Sequence, residues 1–173
     1  MTDQLAQGDR REIYKGRIIT LVERDRSSGE IYNVIEHPGA AAAVPVTPDG
    51  EIVLINQYRP AIGEWIWEVP AGTLEPGESP EETMAREVIE EIGWEAHRLE
   101  SLGTIFTAPG FANQQMHLFV AHLTREVGIK HEPDEIIEVH VKNWAEVQEM
   151  LANHKIRDGK SLAALYRYKA SRA

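Results

Sequence analysis

The sequence predicts a single mixed α/β domain, β-rich at its start and helical in its middle and at its end. Three observations carry this reading. The chain has 173 residues, enough for one core that buries roughly 70% of the unfolded surface and too few for two comfortable cores. Its first half is a series of short extended segments divided by turn residues. Its helix-starting signals come later, in an order that lacks the regular βαβ alternation of a doubly wound sheet.

The elements follow in order. Residues 1–10 are polar and expected to be flexible, leaving residues 11–173 as one domain. Ile13 to Arg26 reads as extended, with Ile18, Ile19, Leu21 and Val22 between Gly16 and the turn Ser27-Ser28-Gly29. Ile31 to Glu36 returns after that turn as the second arm of a hairpin. Ala40 to Val46 is a buried-strand candidate, and Pro48-Asp49-Gly50 turns it into Ile52 to Gln57: proline presets φ and glycine accepts a positive one. Trp65 to Val69 is a short strand that runs into Pro70-Ala71-Gly72 and a loop as far as Gly77. The clearest helix follows. Ser79 is its N-cap, Pro80 its first residue, Glu82 completes a capping box, and Gly93 ends it. Leu99 to Phe106, Met116 to Leu123 and Ile136 to Val141 read as strands. Asn143 is expected to cap a helix through Leu151, and Ser161 a last one through Lys169.

Composition narrows the function. With 42% hydrophobic and 27% charged residues the chain is an ordinary globular protein. It has no cysteine, which excludes disulfides, thiolate metal sites and thiol nucleophiles. Eighteen basic against 28 acidic residues give a net charge of −10, the wrong sign for a nucleic-acid or anionic-membrane binder. Met1 to Arg11 is polar and is not expected to act as a signal peptide, and no run approaches the ~18 apolar residues of a membrane span. Together with the lack of cysteine, this points to the cytoplasm. A chain this acidic binds an anionic substrate only through local arginines or a bound metal.

On a helical projection of residues 80–92, Met84, Ala85, Val88, Ile89 and Ile92 form an apolar face. Thr83, Glu87, Glu90 and Glu91 form the opposite one. Like charges so spaced repel by roughly 0.2–0.5 kcal/mol per pair. They are either a solvated acidic face or a site for a hard cation, and the helix alone leaves both open. The flanks decide. Gly72, Glu78, Arg86-Glu87, Val88, Glu90-Glu91, Gly93 and Trp94 satisfy every fixed position of G-x5-E-x7-R-E-U-x-E-E-x-G-U, where U is a bulky apolar residue. At ordinary residue frequencies a chance match at one start is on the order of 10⁻⁹. Trp94, where an aliphatic residue is usual, is the one loose fit.

This pattern, spanning 72–94, resembles the Nudix box, and the chain resembles the Nudix hydrolases. The resemblance implies an α/β/α sandwich around a mixed sheet and metal-dependent hydrolysis of a nucleoside diphosphate linked to another group. Within the family the chain is similar to ADP-ribose and nucleoside-diphosphate-sugar pyrophosphatases. It has Pro109 sixteen residues beyond Gly93, the approach Gln57-Tyr58-Arg59-Pro60 and Glu68-Val69-Pro70-Ala71-Gly72, and Asp158-Gly159-Lys160-Ser161 before the last helix. The segment 11–38 resembles the β-rich part through which such enzymes form homodimers.

The resemblance also implies roles. The Ala71 carbonyl, Glu87, Glu91 and Glu135 would bind Mg²⁺, with Mn²⁺ able to substitute. The general base is left open among Glu90, Glu91, Glu132 and Glu135, because Pro133 stands where the subgroup often carries it. Gly72, Glu78, Arg86 and Gly93 shape the box: Gly72 by letting the backbone turn tightly, Glu78 and Arg86 by pairing. Arg59 is the candidate diphosphate contact. Trp67, on one face of its strand with Trp65, and Phe111 are candidates for the nucleotide pocket, against a packing role for each. Asn113 and Gln114 replace acidic residues common in relatives that cleave ADP-ribose. The expected partner is a small nucleotide-sugar substrate, with no nucleic acid and no membrane. The rival readings are hydrolysis of nucleoside triphosphates or dinucleoside polyphosphates, and an ADP-ribose sensor without turnover. Gly159-Lys160-Ser161 lacks the glycine loop of a nucleotide-binding P-loop. His117, His122 and His140 show no zinc spacing and read as packing or surface residues.

Overall fold

The computed structural model describes residues 9–25, 29–129 and 136–172. Thus Ser27, Ser28 and the acidic run 132–135, with Glu132 and Glu135, lie outside the described residues. The chain begins with a three-stranded antiparallel sheet of β1 (Arg10–Lys15), β2 (Thr20–Asp25) and β3 (Ile31–Glu36). The second sheet is mixed and has seven strands: β4 (Ala40–Val46), β5 (Ile52–Arg59), β6 (Glu64–Glu68), β7 (Ala71–Thr73), β8 (Trp94–Phe106), β9 (Gln115–Glu126) and β10 (Ile137–Lys142). The described residues also form three helices: α1 (Pro80–Ile92), α2 (Trp144–Ala152) and α3 (Gly159–Ser171). None of them is long and apolar enough to cross a membrane.

Strand alternation makes this a three-layer sandwich. Ala41, Ala43, Val53, Ile55, Phe119 and Leu123 pack against Met84, Val88 and Ile92 of α1. Their neighbours Ala40, Ala42, Val44, Ile52, Leu54 and Leu118 pack against α2 and α3 through Val147, Met150, Leu151, Ala164 and Leu165. Four successive buried alanines in β4 keep that strand thin where both layers approach it.

One irregularity of the sheet positions the site. β4 and β5 pair only at Val46 and Ile52, next to their turn. Beyond it they part, and the fork is filled by residues 64–73. Here β6 pairs with Ile55–Arg59 of β5, and β7 pairs with Ala40–Ala42 of β4. The Pro70 carbonyl accepts from Ala43 N at 3.1 Å, joining the two pairings.

Several local expectations change. Residues 71–73 form a strand, not loop, because the fork supplies β4 as a partner. Gly72 is extended; it is not among the glycines with positive φ, so no tight turn is its reason for being glycine. β8 begins directly after α1 at Trp94. α3 starts earlier than expected, with Asp158 as its N-cap, while Ser161 is buried inside its first turn. On α1, Ala85 is exposed, whereas Thr83, Glu87 and Glu91 are buried. Polarity misassigned the helix faces because two of the carboxylates point inward, over the fork.

Candidate active site

The site is built where α1 lies over β7. The start of α1 is fixed by its capping box: Ser79 Oγ accepts from Glu82 N at 3.2 Å, and Glu82 accepts from Ser79 N at 2.8 Å. Its end is fixed by Gly93, left-handed at φ 72° and ψ 27°. Between these ends, Glu91 turns toward the fork and accepts from Ala71 N at 2.9 Å. Glu87, one turn earlier, lies against Gly72. A β-carbon on Gly72 would stand 1.7 Å from Glu87 Oε1 and 2.0 Å from its Cδ. The glycine is therefore the space that the carboxylate occupies.

Arg86 ties the box together. Its Nε donates to Glu78 Oε1 at 3.0 Å, and its Nη2 to Glu78 Oε2 at 3.1 Å. Its Nη1 donates to Glu87 at 2.6 Å and Glu90 at 2.9 Å. Glu78 also accepts from Thr83 Oγ1 at 2.8 Å and Glu75 N at 3.2 Å. The Arg86 guanidinium, with these two donors, holds the Glu78 carboxyl down at about 2. The pairing raises Arg86 further above its already high value. A carboxylate with a depressed pKa stabilises the fold fully above its ordinary value of 4.5, and loses that contribution as pH falls toward about 2. Glu78→Gln is accordingly expected to be less stable than the parent at pH 6, with the gap closing between pH 4.5 and 2. Denaturant midpoints across that range check this.

Among the described residues no three His, Asp or Glu side chains form a ready metal cluster. The expected donor set is of another kind, two carboxylates with a backbone carbonyl and Glu135, which lies outside the described residues. Glu87 and Glu91 lie on the same side of α1, beside Gly72 and Ala71 respectively. An oxygen-only set seated where a β-carbon is missing fits a hard divalent cation.

Arg59 lies at the edge of the same region. Its Nε and Nη2 donate to Glu68 Oε1 and Oε2 at 2.8 and 2.6 Å. This pair is not the surface salt bridge of an ordinary arginine, since the Glu68 side chain is only 1% exposed and that of Arg59 37%. Arg59 is raised above its usual pKa by Glu68, with Glu91 and Asp158 contributing. Its Nη1 has no hydrogen-bond partner among the described residues. Lys160 also pairs with Glu68, and with Asp158 at 3.0 Å. Sequence reasoning missed Glu68 and Lys160 as site residues, although both lay in segments that it singled out.

The other candidates lie further off. Trp67 packs into the core under α2 and α3, its ring 4.7 Å from that of His140. It thus faces away from α1, and Glu68, one residue on, faces the other way. Phe111 is exposed, in a loop stitched to β3: Phe111 O accepts from Ile35 N at 2.7 Å. Asn113 and Gln114 both engage His37. Asn113 Oδ1 accepts from His37 N at 2.8 Å, and the Gln114 amide lies 3.2 Å from the ring. Burial lowers the His37 pKa. These two residues join the small sheet to the large one.

Comparison with known proteins agrees with this architecture. The ADP-ribose pyrophosphatase of Bacillus subtilis (strain 168) is 33% identical over 160 residues, 89% of this chain and 86% of that protein. A GDP-mannose pyrophosphatase of Yersinia enterocolitica is 32% identical over 139 residues, covering 73% and 71% of the two chains. A crystal structure titled as an ADP compounds hydrolase superposes with a TM-score of 0.79 over 96% of this chain and 92% of that one, at 22% identity, and so shares the fold. Pyrophosphatases of this kind generally use divalent metal ions. The family model for the NUDIX domain matches residues 36–165, and with the box intact around Gly72, Arg86, Glu87 and Glu91, the chain belongs to the NUDIX family and is a hydrolase.

Proposed function

We propose that the protein hydrolyses the diphosphate linkage of ADP-ribose or a related nucleoside diphosphate sugar, giving a nucleoside monophosphate and a sugar phosphate. The observation that carries this reading is the joint placement of Glu87 and Glu91 over the fork with Arg59 beside them. The relatives' activities on ADP-ribose and GDP-mannose support the substrate class. Glu87, Glu91 and the Ala71 carbonyl would hold Mg²⁺, with Glu135 as a further ligand. Such an ion supplies charge stabilisation and an acidified water when bound. Arg59 turns Nη1 to a phosphate oxygen while Glu68 fixes its plane. Arg86 holds Glu87 and Glu90 in register by donating to both. Water attacks one phosphorus and the bridging P–O bond breaks. The water's proton passes to a carboxylate, with Glu90, Glu91, Glu132 and Glu135 as the candidates.

The same proposal makes residues 11–173 one domain, active in the cytoplasm as a homodimer. Exposed Ile13, Tyr14, Ile31 and Tyr32 on the small sheet support the dimer. Coupled-phosphatase release of phosphate from ADP-ribose, GDP-mannose, UDP-glucose, diadenosine polyphosphates and deoxynucleoside triphosphates, with Mg²⁺, tests the substrate. Phosphatase-dependent signal from the sugars is expected. Signal from triphosphates or dinucleotides alone overturns the substrate class, and binding of ADP-ribose without turnover overturns the enzyme.

A further inference from the structure

A buried network joins the C-terminal helix to the fork. Glu68 is enclosed and has two cationic partners, Arg59 from β5 and Lys160 from the first turn of α3. Lys160 Nζ also donates to Asp158 Oδ2 at 3.0 Å. Asp158 is the N-cap of α3, accepting from Ser161 N at 2.9 Å and Ser161 Oγ at 2.5 Å. Ser161 Oγ in turn accepts from Val69 N at 2.9 Å. The first turn of α3 therefore grips two successive residues, Glu68 by side chain and Val69 by backbone, just before Ala71.

The charges are matched for a purpose. Asp158 faces the positive end of a helix and its N–H groups, which share with Lys160 the stabilisation of its charge. Burial pushes the Asp158 carboxyl up, yet Lys160 and the Ser161 bonds outweigh burial and hold it below its usual value. Lys160 is thus shared between Asp158 and Glu68. Without Lys160, the group of Arg59, Glu68 and Asp158 would sum to −1, and the arginine would carry little field to an incoming anion. With Lys160 bridging both carboxylates the four charges balance, and the most exposed of them is the positive guanidinium of Arg59.

We propose that Lys160 is a positioning residue: by sharing the buried Glu68 carboxylate it leaves the charge of Arg59 available to the substrate diphosphate. This rests on the reading of Arg59 as the diphosphate contact. The test is a steady-state comparison on the best nucleoside diphosphate sugar, with melting temperatures recorded for every variant. Arg59→Gln is expected to raise KM at least tenfold. Lys160→Met is expected to raise KM about tenfold with kcat changed less than threefold, and Lys160→Arg to recover most of the loss. The double variant Glu68→Gln with Lys160→Met removes one charge of each sign. It is expected to bring KM well below that of Lys160→Met, short of the parent value because Glu68 also fixes the plane of Arg59, and it keeps the test valid where Lys160→Met alone folds poorly.

A merely structural lysine predicts the opposite, with no recovery in Lys160→Arg or in the double variant. That result overturns the proposal, as does an unchanged KM in Lys160→Met. If Arg59→Gln leaves KM unchanged, the reading of Arg59 itself fails, and the role of Lys160 falls with it. If Arg59→Gln raises KM and Lys160→Met does not, only the inference about Lys160 fails.

Discussion

Glu91→Gln is expected to lower kcat on nucleoside diphosphate sugars by roughly 10³-fold and to leave the fold in place. The expectation comes from the two roles its carboxylate combines. One oxygen, Oε2, accepts from Ala71 N at 2.9 Å and so fixes the strand beside the fork. A glutamine keeps that bond by turning its own oxygen to the amide, and it keeps the volume of a side chain that is 2% exposed. What it loses is the negative charge, and with it the affinity for a hard cation that an oxygen set provides. The loss should thus appear in kcat and in the metal concentration needed for half-maximal rate, while the melting temperature moves by a few degrees at most. A variant that turns over near the parent rate would remove Glu91 from the site.

How much of this was legible in the sequence depends on what fixed each residue. The box was legible because its spacing is set by chemistry within a short stretch. Glu78 and Arg86 meet across one loop–helix junction, and the pairing expected of them is present at 3.0 Å. The helix caps at Ser79 and Asn143 were legible for the same local reason, each closing a capping box within four residues. The buried face of α1 was misread because polarity stood in for position: Glu87 and Glu91 are buried by the fork, and Ala85 is not. The fork itself left no trace, since β6 and β7 are placed by partners in β5 and β4 that no period announces. The network at Glu68 was equally hidden. Lys160 reaches it across 92 residues, and only tertiary structure joins the two segments.

Gly72 shows the same limit from another side, and its substitution carries the second large effect. Gly72→Ala is expected to lower kcat/KM by about 10²-fold or more without unfolding the protein. The backbone at Gly72 is of a kind that any residue adopts. In such a place alanine ordinarily stabilises by about 0.4–1 kcal/mol, through a stiffer unfolded chain. Here the new methyl would stand 1.7 Å from Glu87 Oε1, 2.0 Å from Cδ and 2.5 Å from Cγ. A flexible side chain yields before a strand does, so Glu87 is expected to swing away, leaving Arg86 and the space beside Gly72. The clash also predicts coupling between the two positions. A Glu87→Ala background removes the three atoms nearest the methyl, Oε1, Cδ and Cγ. Gly72→Ala should then cost no further activity, and the melting temperature should rise. Losses that multiply in the double variant would mean that Gly72 serves the backbone, as its place in the motif first suggested, and not the carboxylate above it.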